Sequence, residues 1–495
     1  MKKILCLVLV VLMLSTLLVS CKKDKEEEGT KGEFTTPAST DPNRVAPEVK
    51  DFGGYEFKLM LNNDGNEETY EIQAPTEMNG QGINDTIYAR NKQVEGLYNI
   101  KISHQMNLHD TVSSDSFNYL SNAAMSGEYF ADVYSTTAYR AVGTLAPQGF
   151  FYNVYDLKSL RLNSDWWDQD FLSEMTINGY AYTLTGDIQT NDDLHQLNLA
   201  VNLSLYKKTY PKKSLYNIVV KDGAWTMEEF YNTWNEFGSK DVGTTGQLDE
   251  GDLIGYVYDS RTANYLYTGS GLKAFAMQSG EPVILLSSDK ALKVMDWLQK
   301  VVDGKSGFKS ARVEDFSGSY EAGSLHFAAG KTLIHSNGFH DSLLYQLDMA
   351  DDVVYVPFPK YDMEQDRYYS LIHSCFEPLS VSANVTDKER TALILEALAF
   401  YSDKIQTEVE NILIQERLTS EAEPREMLQL TLNSKVYDME YTAAIMGWTH
   451  KVNNLVRDNQ LSNYSTEMKT LQKAAVTTKG NGTLDLFLKS YAHMN

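Results

Sequence analysis

Ile4 to Val19 is an almost unbroken apolar run, and it limits where this chain can fold. Met1-Lys2-Lys3 gives a short basic start ahead of it, and the small residue Ser20 follows it. A basic start, an apolar stretch and a small-residue cleavage site make a secretory signal. The run is 16 residues long, short of the ~20 that a membrane-spanning helix needs. The expectation is an exported chain, with residues 1–20 as a signal peptide and everything after it folding outside the cytoplasmic membrane.

Leu18-Val19-Ser20-Cys21 resembles a bacterial lipobox. That resemblance implies cleavage before Cys21 and acylation of its thiol and its new amine. The mature chain would then sit lipid-anchored at the extracellular face of the cell membrane. Lys22 to Lys50 is rich in Lys, Glu, Thr and Pro and carries almost no large apolar residue, so it cannot bury a core. Residues 21–50 therefore read as the lipidated Cys and a flexible tether, spanning roughly 30 Å as a coil.

The formal charge is −23, and losing Lys2 and Lys3 with the signal takes it to −25. So acidic a chain repels nucleic acid and anionic headgroups, which sets both aside as partners. The membrane contact expected is through the N-terminal lipid alone. Of three cysteines, Cys6 leaves with the signal, Cys21 is the lipid site and Cys375 stands alone. That leaves no disulfide framework and no cysteine metal cluster, and Ser374-Cys375-Phe376 reads as a small buried thiol.

From Asp51 onward the patterns alternate between strand and helix. Tyr55 to Leu61 reads as a strand, with Asn62-Asn63-Asp64-Gly65 as the turn at its end. Asn84 to Leu97 reads as a helix with Ile87, Val94 and Leu97 on one face. Tyr98 to Ile102 is a short strand, Ser113 to Met125 a helix, and Ala131 to Tyr134 a strand ending in Ser135-Thr136-Thr137. That order argues for a mostly parallel sheet covered by helices. Trp166-Trp167 reads as core, because adjacent residues face different ways.

Gly179 to Leu184 is a strand candidate, followed by the polar segment 185–193 where a crossing between lobes is expected. His195 to Tyr206 alternates and reads as a strand entering a second lobe. Thr226 with Glu229 makes a capping box that opens a helix. Leu253 to Tyr258 is a strand, and Ala291 to Val302 an amphipathic helix with Val294, Leu298 and Val301 on one face. Phe327 to Thr332 fails as a phosphate loop, since position 325 is Leu where a Walker loop needs Gly. Instead Thr332 to Ile334 reads as a strand and Ser336 to Phe339 as its exit loop. Val353 to Phe358, Cys375 to Val381 and Lys388 to Ser402 read as strand, strand and helix, and the chain is mostly helical from Ile412.

In α/β sheets ligands sit beyond the carboxyl ends of strands. That singles out Asn62, Asp64, Tyr134, Ser135, Asp187, Asn191, Asp192, Asp259 and Asn337 as ligand-binding candidates, with Trp448 beside Gly447 as an outlying one. Amides and carboxylates of this kind grip hydroxyls. With 31 Tyr and 6 Trp, the chain also holds side chains that pair an apolar face with a polar tip, as sugars require. Metalloprotease, nucleophile-elbow and EF-hand motifs are absent, and His335 and His340 have poor ligand spacing. The motifs thus point away from an enzyme, and to neither cofactor nor metal.

Taken together the pieces resemble the extracellular solute-binding proteins of ABC importers, of the family-1 sugar-binding type. The likeness rests on the lipobox, Asp51-Phe52-Gly53-Gly54-Tyr55-Glu56-Phe57, Asn84-Asp85-Thr86-Ile87-Tyr88 leading to Tyr98-Asn99-Ile100, and Gly186-Asp187-Ile188 with Asn191-Asp192. It continues in Trp225 to Phe230, Phe327 to Lys331 and Val356 to Asp362. The resemblance implies a two-lobed periplasmic-binding-protein-like α/β fold of type II, with the ligand cleft between lobes joined by crossing strands. Lobe one would be 51–188 with 371–410, and lobe two 189–370 with 411–495. It implies hinge closure on a sugar or oligosaccharide, delivery to an ABC permease, and a monomer. Phe339 falls where such proteins place an aromatic against the sugar. The absence of basic residues from most candidate loops favours a neutral ligand, Arg261 being the exception. An exported carbohydrate-active enzyme and a surface glycan-binding module without a transporter remain as alternatives.

Overall fold

The computed structural model describes residues 44–62, 75–107, 122, 125–242, 251–278, 281–304, 309–313, 321–345, 349–417 and 422–493. The signal, Cys21, most of the tether, Asp64 and nearly all of the helix expected at Ser113 to Met125 lie outside them. Ala46–Asn495 is one compact unit. Its strands are β1 (Tyr55–Asn62), β2 (Ile100–Asn107), β3 (Val133–Ser135), β4 (Leu197–Asn202), β5 (Ile254–Tyr258), β6 (Phe275–Gln278), β7 (Glu281–Ile284), β8 (Ser310–Arg312), β9 (Thr332–Gly338), β10 (Val353–Val356), β11 (Ser370–Leu371), β12 (Leu379–Val381) and β13 (Lys435–Val436).

Two sheets carry the architecture. The first runs β12-β3-β1-β2 and the second β10-β4-β9-β5-β8. In the first, β1 is parallel to β2 and β3, and β12 is antiparallel to β3 with Leu379 opposite Ser135. The helices Gly82–Tyr98 and Lys388–Phe400 cover it, with Val94, Tyr98, Leu395 and Leu398 in its core. In the second, β9 is parallel to β5 and antiparallel to β4, with Leu197 opposite Gly338. Its layer of helices includes Met227–Phe237, capped by Thr226, whose hydroxyl accepts from Glu229 N. It also includes Asp289–Asp303, which buries Val294, Leu298 and Val301 as the spacing predicts.

Several sequence expectations need correction. β4 ends at Asn202 rather than Tyr206, because the Asn202 side chain accepts from Leu205 N and starts the helix Leu203–Thr209. β9 does not exit at Ser336. It runs on to Gly338, since residues 336–338 pair with Leu197 to Leu199, and the helix Phe339–Tyr345 follows at once. Residues 179–184 form isolated bridges, Ile177 with Tyr180 and Leu184 with Leu379, rather than a continuous strand. Cys375 is exposed, not buried. Trp166 and Trp167 are core residues, 4% and 1% exposed.

The C-terminal helices do not all lie on the second sheet. Ala422–Leu432 does, through Thr431 Oγ1 donating to Tyr355 O at 3.1 Å. The last helix, Thr483–His493, instead packs on the flank of the first sheet, where Tyr182 Oη donates to Tyr491 O at 2.8 Å. Among the described residues no helix is long and apolar enough to cross a membrane.

Candidate functional site

Strand direction brings the site together. β1 and β3 are parallel, so Asn62 and Ser135 end on one edge of the first sheet, where β12 begins. β5 and β9 are parallel, so Tyr258 and Gly338 end on one edge of the second, where β4 begins. Two of the segments that pass between these edges, one before β4 and one before β12, pair with each other. Gln196 bridges Ile372, and His373 N donates to His195 O at 2.9 Å. The carboxyl ends of both sheets therefore converge on the crossing segments, the position where α/β sheets bind ligands.

Two polar clusters lie at this junction. The first follows β5. Asp259 accepts from Arg261 N at 2.6 Å, from Arg261 Nη2 at 2.8 Å and from Nε at 3.1 Å. Arg261 Nη1 also lies 2.8 Å from His373 Nε2. A guanidinium has only donors, so that nitrogen accepts and the imidazole is neutral. The Cys375 N–H approaches Nδ1 at 3.2 Å, but a neutral ring accepts at one nitrogen only, and the shorter contact from a cation takes precedence. Burial, and then the Arg261 charge, hold His373 well below the usual imidazole range. His195 stacks on His340 with ring centroids 5.4 Å apart, and Tyr441 meets His373 edge-on at 6.2 Å.

The second cluster is a buried ion group. Lys435 Nζ lies 2.9 Å from Asp168, 3.1 Å from Asp192 and 3.0 Å from Asp193. Tyr437 Oη donates to Asp168 and Asp192, each at 3.0 Å. Burial opposes the Lys435 charge, but the surrounding carboxylates outweigh it and hold the ammonium well above its ordinary value. With three carboxylates around one ammonium, burial, and then its carboxylate neighbours, push fully buried Asp192 above the usual carboxylate range against the pull of Lys435.

The predicted residues fall into distinct places. Asp259 lies in the first cluster and Asp192 in the second. Asn191 is tied down by accepting from Glu377 N, and Ser135 Oγ donates to Glu377 O at 3.3 Å. Tyr134 is buried with its ring against Phe151. Asp187 is half-buried, its N–H donating to Trp166 O. Asn62 ends β1 opposite Asn107, and Asn337 sits in β9 opposite Asn198. Phe339 is 0% exposed and packs edge-on against Tyr355, and Trp448 is 1% exposed against Tyr267. Both aromatics are buried, and the continued strand that turns Phe339 inward brings His340 to the crossing.

Sequence reasoning reached Thr136, at the end of the Tyr134 to Thr136 segment, but passed over Asn264 and Thr449. Thr136 Oγ1, Asn264 Oδ1 and Thr449 Oγ1 are buried and make no hydrogen bond among the described residues. Each adjoins a candidate loop: Ser135, Asp259 to Arg261, and Trp448. An unmet buried polar atom costs about 1–3 kcal/mol. Asn264 is further oriented by donating to Asn453 Oδ1 at 2.6 Å. A polar residue next to a strand-end loop is the only sequence signal they give. Among the described residues no group of three His, Cys, Asp or Glu could hold a metal ion.

The histidines make the junction acid-sensitive. Burial, and then His340, bring His195 down to about 4. Its folded value is depressed below the unfolded one near 6.5. The neutral ring therefore favours folding fully above pH 6.5, and that contribution is lost as pH falls from 6.5 towards 4. The ring is only half-buried, so solvent screening leaves roughly 1–2 kcal/mol at pH 5. His195→Gln should lose less stability than the parent between pH 7 and pH 5 in urea melts. Identical losses in the two proteins would remove His195 from this account.

No family model and no curated protein matches the chain. Solved structures do. The fold is that of the two-lobed substrate-binding proteins of ABC transporters. One similar structure is an ABC substrate-binding protein of Listeria monocytogenes in complex with cycloalternan, with 12% identity, TM-score 0.53, and coverage of 85% of this chain and 99% of that one. Another is the galacto-N-biose/lacto-N-biose I-binding protein of Bifidobacterium longum, with 14% identity, TM-score 0.52, and coverage of 86% and 98%. The GacH receptor of Streptomyces glaucescens is similar at 13% identity and TM-score 0.52, covering 85% and 99%.

Proposed function

We propose that this chain is a solute-binding protein of an ABC importer that captures a neutral sugar or oligosaccharide by hinge closure. The observation that carries this reading is the convergence of both sheets' carboxyl ends on two paired crossings, with unmet hydroxyl and amide groups on either side. Thr136 belongs to the first sheet's edge, while Asn264 and Thr449 belong to the second lobe. Closing on a sugar would exchange the water on its hydroxyls for these groups and for Asp259 and Asn337. Arg261 is neutralised by Asp259, which favours an uncharged ligand. The protein performs no covalent chemistry in this reading.

The N-terminal apolar run and the Leu18 to Cys21 sequence support a lipid-anchored protein outside the cytoplasmic membrane, and in this reading it acts as a monomer that docks on a permease. Lobe one is then 46–188 with 373–417 and the last helix, and lobe two is 197–371 with 422–475.

A thermal-shift screen of residues 46–495 against mono- and oligosaccharides tests the ligand class. A ligand at a hundred times its dissociation constant adds about 2.7 kcal/mol. The expected result is a clear shift with one sugar family, abolished in Asp259→Ala and weakened in Asn264→Ala. A shift with peptides or small acids and none with sugars would refute the sugar reading while leaving the fold in place.

A further inference from the structure

We propose that the C-terminal helix Thr483–His493 is a strap that holds the two lobes closed in the absence of ligand. The helices before it belong to lobe two. Tyr464 Oη donates to Leu286 O at 3.0 Å, Trp448 packs its ring on Tyr267, and Arg312 Nη1 donates to Val456 O at 3.3 Å. The last helix belongs to lobe one by its contacts. Tyr182 Oη donates to Tyr491 O at 2.8 Å, Tyr491 Oη donates to Met175 O at 2.9 Å, and the two rings meet edge-on at 4.9 Å. Leu484 and Tyr491 are fully buried. One apolar core cluster includes Val142, Tyr182, Trp448 and Tyr491.

The connection between the two attachments has no slack. Residues 476–482 join the helices Tyr464–Ala475 and Thr483–His493. Asp485 Oδ2 accepts from Thr477 N at 2.8 Å and from Gly482 N at 3.0 Å, folding the segment back on itself. A Cβ at Gly482 would lie 2.3 Å from Ala475 O. The lobes also touch nearby, where a Cβ on Gly143 would lie 2.6 Å from Ala443 O. Parting the lobes therefore requires the Tyr182–Tyr491 contact to break or the Asp485 loop to unfold. In a receptor joined only by its crossings, ligand binding drives closure. Here the chain supplies part of that closure itself, so opening to admit ligand is coupled to release of the last helix.

The test is small-angle X-ray scattering on the full mature chain without ligand. One variant ends after Val476. A second inserts a flexible Gly/Ser stretch between Lys479 and Gly480, which keeps the helix but gives it slack. A compact chain of this length has a radius of gyration of about 23 Å, and both variants should exceed the parent by roughly 1 Å as the lobes part. Circular dichroism checks that each is folded, and if the truncation fails to fold the insertion decides. Folded variants with an unchanged radius would overturn the strap. The scattering requires no ligand, so a failed sugar screen leaves this result standing, and the reverse also holds.

Discussion

Replacing Lys435 with Met is expected to destabilise the folded protein by about 3–5 kcal/mol at pH 8, the range for breaking a buried ion group from one side. The ammonium lies within 3.1 Å of Asp168, Asp192 and Asp193, and it is their one cationic partner among the described residues. Met fills the space of the stem but leaves three carboxylates facing one another in a desolvated site. Those carboxylates respond by taking up protons, so their folded values rise above the unfolded ones. A raised carboxylate contributes stability fully below its unfolded value near 4 and loses it as pH climbs through the folded value. The deficit of Lys435→Met relative to the parent should therefore be small near pH 5 and grow towards pH 8. Urea melts at both pH values measure it. A deficit that is the same at pH 5 and pH 8 would show that Lys435 acts by packing and not by charge.

The second large effect is expected at Gly186. Its φ is +147°, and an added Cβ would lie 2.3 Å from Trp166 O and 3.0 Å from both Trp167 Cα and Asp168 N. All of these are backbone atoms, so no side chain can swing away. Gly186→Ala must shift the pairing in which Asp168 N donates to Thr185 O and Asp187 N donates to Trp166 O. Backbone strain and overpacking of roughly 1–3 kcal/mol each put the cost at about 2–6 kcal/mol. Because Asp168 is a partner of Lys435, the same shift loosens the ion group and the first crossing behind it. Gly179→Ala is the comparison. Its φ is +84° with nothing within 4 Å of the added Cβ, so it should cost only about 1–2 kcal/mol. Equal midpoints for the two alanine variants would refute the close-approach argument.

The local pieces were readable because each carries its own signal. The spacing of Val294, Leu298 and Val301 gives a buried face, and Thr226 with Glu229 gives a helix start, whatever surrounds them. The alternation in Tyr55 to Leu61 gives β1. The candidate site was readable only by position, as loops beyond strand ends. That Phe339 and Trp448 are buried is not legible in their sequence neighbours, since burial of an aromatic depends on which elements enclose it. The end of β9 was misjudged because Ser336-Asn337-Gly338 has turn composition. Its pairing with β4, and the Ser336 hydroxyl bonded to Tyr256 and Thr262, hold it as strand.

The sequence by itself determined a net acidic charge and an α/β order of strands and helices, and it carries the expectation of an export signal and a lipid site. Each of these depends on residues close in the chain. The tertiary structure alone decided that Lys435 answers Asp168 and Asp192, that Arg261 meets His373, and that Tyr491 meets Tyr182. These partners lie more than 100 residues apart. No local pattern encodes such pairings, because they arise only when the two sheets and their crossings have closed on one another.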